Sequence, residues 1–312
     1  MKYYLAPMEG LTTFTFRMAY HKHYKDFDRY FTPFLANKNL NTRELNEILP
    51  EHNEGMCLIP QILSNRSDDF LDLAKRISSF GYTSVNLNLG CPSGTVVAKK
   101  RGSGFLSQPQ ELDRFLGEIY EKSPVKISIK TRIGIESVDE WGNILNIYRK
   151  YPLEELIVHP RLQKQFYKGT PHLDAFAAAV ETMNCPVCYN GDIVNPETLQ
   201  KLTDRFPQTD TVMIGRGIFQ QPWLLDTFAG AGTFTAKELD TLRAFHNSLL
   251  EGYMQLMSGD QPTLFKMKDF WTFLIQGFPG YEKQLKKIRK ATRISEYKIA
   301  ANEFFVMLSE NI

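Results

Sequence analysis

Short runs rich in β-branched and aromatic residues alternate along this chain with amphipathic stretches at helical spacing, the pattern of parallel βαβ units. Eight such runs can be read, at residues 3–6, 29–34, 56–61, 84–88, 126–130, 155–159, 186–190 and 211–214, each followed by a loop and a helical pattern. Eight strand–helix units predict a closed (β/α)8 barrel, a TIM barrel, rather than an open sheet. The helices carry their own punctuation. Ser137 and Glu140 have the spacing of a capping box, and Trp141, Ile144, Leu145 and Tyr148 then share one face. Asn195 before Pro196 reads as an N-cap with proline at the first helical position.

The strand signals stop after Trp223. A Gly/Ala/Thr stretch at 228–234 reads as a linker, which divides the chain into a barrel domain at 1–230 and a small all-helical domain at 235–312. Thr235 and Glu238 form a second capping-box pattern, and Leu242, Phe245, Leu249, Tyr253 and Leu256 keep a helical period behind it. Further helices are expected around Trp271, Leu285 and Ile299.

Composition narrows the class. With 312 residues, 43% hydrophobic and 23% charged, the chain has the profile of a soluble globular protein. Four cysteines are too few for a disulfide framework, no signal peptide is visible, and no apolar run approaches the ~20 residues a bilayer-spanning helix needs. A cytoplasmic protein without membrane attachment is expected, monomeric and with no obligatory protein partner. The net charge of +2 neither demands nor excludes nucleic acid, so the distribution of charge has to decide.

In such a barrel the chemistry sits at the C-terminal ends of the strands. Read in order, those ends carry Pro7, Met8 and Glu9, then Gln61, then Asn88 with Cys91, then Lys130 with Arg132, then His159 with Arg161. Asn190, Gly191 and Asp192 follow strand seven, and Gly215 with Arg216 follows strand eight. An isolated glycine after a strand usually only makes a tight turn. Two glycine loops after strands seven and eight, one with an arginine, instead match the place where barrels hold a phosphate. Gln61, Lys130 and His159 supply donors suited to the carbonyls and N1 of an isoalloxazine ring, and no Gly-x-Gly-x-x-Gly follows the first strand, so FMN fits better than a dinucleotide. A lone cysteine is most often an inert buried thiol. Cys91 is at the active rim, and an unperturbed thiol, with a pKa near ~8.5, is mostly protonated at neutral pH and can donate a proton.

Cys185 and Cys188 have the spacing of a metal pair, but in an extended strand side chains three apart face opposite sides, and no second pair completes a zinc site. No metal is expected, and both, with Cys57, read as structural.

The segment 86–106, NLNLGCPSGTVVAKKRGSGFL, resembles the active-site signature of the tRNA-dihydrouridine synthases, and Ala6-Pro7-Met8-Glu9-Gly10 resembles that family's first strand loop. Lys130-Thr131-Arg132, His159-Pro160-Arg161, Asn190-Gly191-Asp192 and Gly215-Arg216-Gly217 match in order, so the resemblance covers essentially the whole chain. It implies that NADPH reduces FMN, and that the reduced flavin passes hydride to C6 of a uridine in the tRNA D-loop while Cys91 protonates C5. Pro7, Met8, Glu9, Gln61, Lys130, His159, Asn190, Gly191, Asp192, Gly215 and Arg216 would serve the FMN site, with Asn88 and Arg161 toward the substrate. Pro160 and Leu162 depart from the family's usual glycine and threonine and bear on which uridine is chosen.

Two basic clusters fit an RNA partner. Lys283, Lys286, Lys287 and Lys290 recur on one helical face, and Lys99, Lys100 and Arg101 follow Cys91. A charge run by itself is as often an ordinary solvated face. Two other functions use parts of the same sequence: an FMN-barrel dehydrogenase acting on a small pyrimidine such as dihydroorotate, and a non-catalytic RNA-binding protein. The basic helical tail separates the first of these from a tRNA enzyme, since a small-molecule enzyme has no evident use for it.

Overall fold

The computed structural model of the chain describes residues 1–230 and 234–312. Residues 231–233, within the expected linker, lie outside the described residues. The barrel region runs β1 (Lys2–Leu5), α1 (Phe14–His23), β2 (Arg29–Phe31), α2 (Thr42–Ile48), β3 (Leu58–Ile59), β4 (Gln61–Ile62), α3 (Ser67–Ser78), β5 (Ser84–Leu89), α4 (Gly94–Val97), α5 (Pro109–Lys122), β6 (Lys126–Arg132), α6 (Glu140–Tyr148), β7 (Leu156–His159), α7 (Leu173–Thr182), β8 (Val187–Tyr189), α8 (Pro196–Arg205) and β9 (Thr211–Ile214). Helices α9 (Arg216–Gln220), α10 (Leu224–Phe228), α11 (Ala236–Leu256), α12 (Asp260–Leu274), α13 (Glu282–Lys290) and α14 (Ile294–Ser309) follow. Two compact units result, one of residues 1–7, 27–192 and 202–214, the other of 8–26, 193–201 and 215–312.

The first unit holds the whole sheet. Its strands are parallel, in the order β3-β2-β1-β9-β8-β7-β6-β5-β4. The two edges of that order are consecutive in sequence, separated only by Pro60, which explains why the expected third strand at 56–61 is two short strands. Proline has no N–H for the ladder. The segment therefore bonds to one neighbour on each side of it: the amide of Tyr30 donates to Cys57 O at 2.9 Å, and that of Asn86 donates to Pro60 O at 2.9 Å. The barrel closes through this change of partner.

Side chains alternate across the wall as the pleat requires. Tyr4, Ala6, Phe31, Ile59, Ile157, Cys188 and Met213 form one buried cluster, so Cys188 is a core thiol, its pKa raised well above the usual value by burial. Cys185 is half-buried, with its thiol pushed up to about 11, and Cys57 is exposed; none of the four cysteines is in a disulfide. On β5 and β6 the inward positions are polar, which carries the strands past their expected ends at 88 and 130 to Leu89 and Arg132. Thr131 faces outward and bonds the Tyr148 hydroxyl of α6 at 3.0 Å.

Two helix starts differ from each other. Asn195 caps α8 as expected, its Oδ1 accepting from Thr198 N at 2.8 Å. At α6 the expected Ser137–Glu140 box is only half formed. The Glu140 carboxylate accepts from the amides of Ile135, Glu136 and Ser137, each at 2.8 Å, but the Ser137 hydroxyl turns to the Asp139 carboxylate. Three backbone N–H donors hold the Glu140 carboxyl below the usual range, so the loop 135–137 is fixed by the glutamate alone.

A buried carboxyl sits before β7. Glu155 is 4% exposed, accepts from the Tyr4 hydroxyl at 3.1 Å and lies 3.5 Å from Arg29. Burial outweighs the arginine and raises its pKa to about 7. The fold therefore favours the neutral acid, and that stability is present below the unfolded value near 4.5 and lost as pH rises through 7. Glu155→Gln, which keeps the acceptor for Tyr4, is expected to match the wild type near pH 4 and exceed it at pH 8 by up to about 2 kcal/mol in thermal or denaturant melts.

The second unit is aromatic at its centre. Phe16 of α1 stacks on Phe219 of α9 at 4.4 Å and meets Phe245 of α11 edge-on at 5.7 Å. Leu242, Phe245, Leu249 and Tyr253 are buried as the period predicts, whereas Leu256, expected to continue it, is 43% exposed because α11 ends there. The Thr235 amide donates to the Glu238 carboxylate at 3.1 Å at the start of α11. Phe234, assigned to the linker, packs against Trp223 at 4.5 Å and Phe278 at 5.4 Å.

Candidate active site

Within the first unit, the inward face of β4, β5 and β6 carries a chain of amides. Gln61 Nε2 donates to Asn86 Oδ1 at 2.8 Å, Asn86 Nδ2 to Ser128 Oγ at 2.9 Å, and Asn88 Nδ2 to Gln61 Oε1 at 2.7 Å. Asn88 Oδ1 then accepts from the amides of Gly90 and Cys91 at 3.0 and 2.9 Å. The side-chain oxygen of Asn88 thus holds the loop that carries Cys91. On the far side of that loop Cys91 O accepts from Ser103 N at 3.1 Å and Ser103 Oγ at 2.9 Å. Gly102 is required there. Its φ is +55°, and a Cβ would approach Cys91 O to 2.8 Å.

Lys130 is the inward residue two after Ser128. Its ammonium makes no hydrogen bond or ion pair among the described residues, and burial, assisted by the charge of Arg132, lowers its pKa to about 8. A half-buried cation without an acceptor is a costly arrangement unless a ligand supplies the acceptor. Arg132 and Arg161, both fully buried, are by contrast fully committed. Arg132 donates to the carbonyls of Gly90 at 3.0 Å, Leu162 at 2.8 Å and Phe166 at 2.7 Å, tying the Cys91 loop to the loop after β7. Arg161, expected among the substrate contacts, donates to Asp192 at 3.2 and 2.5 Å, to Gly169 O at 2.7 Å and to His159 Nε2 at 3.1 Å. A guanidinium can only donate, so His159 Nε2 is an acceptor here. Arg161 is a positioning residue for His159 and Asp192.

The other expected residues of this unit are placed as follows. Pro7 ends the β1 segment; Asn190 is buried, with Nδ2 donating to Met213 O at 2.8 Å. Gly191 lies against Tyr189, whose hydroxyl a Cβ would strike, so packing alone requires glycine there. Lys99 and Lys100 are exposed, while Arg101 folds back on Asn65 Oδ1 at 3.3 Å. In the second unit Met8 opens a tight turn, its carbonyl accepting from Leu11 N and Thr12 N at 3.0 Å, and Glu9 is exposed. Gly215 and Arg216 begin α9. Lys283, Lys286, Lys287 and Lys290 all lie on the exposed face of α13, opposite buried Gln284, Leu285 and Ile288, and Lys287 pairs with Glu303 of α14 at 2.6 Å.

Several supporting residues escape motif reading. Asn86 and Ser128 could be found from period-two polarity inside β5 and β6. Ser103, Gln163 (which donates to Ser103 Oγ at 3.1 Å) and Tyr167 have no local signal. The half-exposed Tyr167 ring lies 5.6 Å from the Arg132 guanidinium and 6.0 Å from His159.

Among the described residues Lys130 has no carboxylate partner, since Asp192 is spent on Arg161 and Glu155 is held by Tyr4 and Arg29. A polar, positively charged rim with one unsatisfied ammonium beside a loop-held thiol suits an anionic ligand and acid chemistry.

The sequence profile of the dihydrouridine synthase (Dus) family matches residues 4–304. The chain belongs to the dihydrouridine synthase family. A probable tRNA-dihydrouridine synthase of Staphylococcus aureus (strain COL) is 25% identical over 318 residues, covering 99% of this chain and 94% of the relative. The tRNA-dihydrouridine synthase B of Pasteurella multocida is 27% identical over 223 residues, covering 71% and 67%. Among solved structures, morphinone reductase in complex with tetrahydroNAD matches with a TM-score of 0.54 at 11% identity, covering 77% of this chain and 89% of that one. The old yellow enzyme homologue from Zymomonas mobilis matches with a TM-score of 0.54 at 11% identity, covering 77% and 91%. These likenesses show the fold. As a dihydrouridine synthase family member, the chain is an oxidoreductase whose Cys91 loop and Lys130 lie on one inner wall of its barrel.

Proposed function

We propose that the chain reduces a uridine of the tRNA D-loop to 5,6-dihydrouridine, with FMN as its cofactor and NADPH as reductant. The observation that carries the reading is the partnerless ammonium of Lys130 on the same inner wall as the loop in which Asn88 fixes Cys91. FMN, when bound, supplies hydride to C6 of the base. Lys130 offsets the negative charge of the ligand, and Gln61, with one Nε2–H left over from its bond to Asn86, presents a donor on the same wall. Cys91 gives its Sγ proton to C5. Asn88 has one Nδ2–H beyond its bond to Gln61, enough to orient a uracil carbonyl while its oxygen holds the thiol loop. A base can reach this wall only out of its stack, so the substrate uridine is flipped. By their place after strands seven and eight, Asn190, Gly191, Asp192, Gly215 and Arg216 are assigned to the cofactor phosphate side, with Pro7, Met8, Glu9 and His159 completing the flavin site.

The tRNA would be held by the exposed lysines of the Cys91 loop, Lys99 and Lys100, and of α13. Because Lys287 is already paired with Glu303, Lys286 and Lys290 are the informative pair. Lys286→Glu with Lys290→Glu is expected to weaken tRNA binding and lower the slope of log affinity against log salt by ~1.5–2, with flavin content unchanged. The protein is taken to act as a monomer in the cytoplasm; among the described residues no helix is long and apolar enough to cross a membrane. The deciding assay incubates the purified protein with NADPH and unmodified tRNA and analyses nucleosides by mass spectrometry. A gain of two hydrogens on one D-loop uridine is expected. A yellow, NADPH-reducible protein that leaves every tRNA unmodified would overturn the substrate assignment.

A further inference from the structure

A cleft of about 270 Å³ lies within the second unit between α11 and α14. Arg243, Asn247 and Glu251 recur every four residues along its α11 side, with Lys298 and Phe305 opposite and His246 beside them. Its size is just below that of drug-sized ligand sites, which run ~300–1,000 Å³, and suits a group no larger than one nucleotide.

The donors of this cleft are set from behind by a buried relay. The indole N–H of Trp271 can only donate, and does so to the Tyr297 hydroxyl at 2.7 Å. The Tyr297 proton then has one acceptor in reach, His246 Nε2 at 2.6 Å. His246 is fully enclosed and burial drops its pKa to about 4, so at neutral pH its single proton is on Nδ1. That N–H donates to Asn247 Oδ1 at 3.1 Å. With its oxygen taken, Asn247 presents its NH₂ group. The amide is thus oriented as a donor by three residues that do not themselves need to reach the ligand.

Two cations complete the set. The Arg243 guanidinium stands over the Phe305 ring at 5.4 Å, which fixes its plane, and its Nε is buried without a partner. Neither Arg243 nor the exposed Lys298 makes a hydrogen bond or ion pair among the described residues, and Glu251, the carboxylate of the lining, pairs with neither. An arginine cannot shed its charge to escape such a position. Arg243, Lys298 and the Asn247 amide line one space, and none of them is bonded to Glu251 or Asn302, the acceptor-bearing residues that line it too; a group with several anionic oxygens satisfies donors of these three kinds.

We propose that the cleft between α11 and α14 is a phosphate-binding site, recognising either a backbone phosphate of an RNA substrate or the phosphate of a free nucleotide. The RNA source rests on the tRNA reading above; the phosphate chemistry does not. The site is separate in sequence from the lysine face of α13.

The test uses the full-length protein, the exposed-site variant Lys298→Gln, the near-isosteric Asn247→Asp, which replaces a donor by a carboxylate, and Arg243→Gln. Inorganic phosphate and UMP are titrated by NMR or calorimetry, and unmodified tRNA by filter binding between about 50 and 200 mM salt. Thermal melts check that each variant is folded, and Lys298→Gln, on the surface, remains interpretable if Arg243→Gln is not. For the RNA source, each variant weakens tRNA binding three- to tenfold, Lys298→Gln lowers the salt slope by ~1, and inorganic phosphate competes. For the nucleotide source, UMP binds the wild type, fails to bind the variants, and tRNA affinity is unchanged. Either result bears out the phosphate site. Wild type that binds neither small probe, with tRNA affinity equal in all folded variants, overturns it. If wild type binds no tRNA and forms no dihydrouridine, the functional reading fails instead, and the phosphate and UMP titrations still decide the cleft.

Discussion

Cys91→Ala is expected to lower dihydrouridine formation by ~10²–10⁴-fold, the usual worth of a positioned general acid, while flavin content and NADPH-driven flavin reduction stay as in the wild type. The backbone around Cys91 predicts this separation. Its amide is held by Asn88 Oδ1 and its carbonyl by Ser103, so the loop keeps its shape when the side chain is shortened, and the half-buried thiol contributes little packing. On the proposed mechanism, what is lost is the proton for C5. Pre-steady-state reduction by NADPH, followed separately from product formation, reads the two half-reactions. Equal rates of product formation in Cys91→Ala and wild type would remove the thiol from the mechanism; loss of both half-reactions would mean that Cys91 serves the flavin site.

Much of this was legible in the chain, and the failures have local causes. The parallel wall was readable because the outward residues of β5, β6 and β7 are apolar in alternation, as at Val85, Leu87, Ile127, Ile129, Leu156 and Val158. The same rule placed the end of β6 too early. Beyond Lys130 the apolar signal weakens, yet Arg132 is an inward residue of the same strand, satisfied by carbonyls from two loops that no local pattern links to it. Pro60 was visible, but its consequence was not, because a break in one strand becomes a barrel closure only when both neighbours are known. Ser137 shows the limit of spacing rules. Glu140 satisfies three amides by itself, which leaves the serine hydroxyl to Asp139. In the candidate site, Cys91 and Lys130 were named from their place at strand ends and lie on one inner wall, while Arg161, expected toward the substrate, is buried with its donors on Asp192, His159 and backbone carbonyls that no local pattern links to it. The relay from Trp271 through Tyr297 to His246 spans elements 26 and 51 residues apart and leaves no trace in sequence.

Lys130→Met is expected to make the protein without ligand more stable and, at the same time, unable to keep its flavin. The fold lowers the Lys130 pKa from 10.5 to about 8, so it favours the neutral amine. Below pH 8 the chain bears the full cost of a desolvated ammonium with no acceptor; between 8 and 10.5 that cost fades, because the native state has shed the proton while the unfolded chain retains it. Methionine of similar length removes the cost. In the flavin-free protein the variant should therefore be more stable at pH 7 by about 2 kcal/mol, allowing for water at the barrel mouth, and melt a few degrees higher; the advantage should vanish by about pH 10.5. Flavin affinity should move the other way, at least tenfold weaker at pH 7, because in the proposed site the ammonium meets the anionic ligand. In the wild type that affinity should fall as pH rises through about 8, and in Lys130→Met it should show no such step. A variant that melts lower than wild type and retains flavin would mean that the ammonium stabilises the barrel itself. A variant that melts higher and loses flavin identifies a group whose unfavourable burial is kept for binding, as expected where stability and function compete for one side chain.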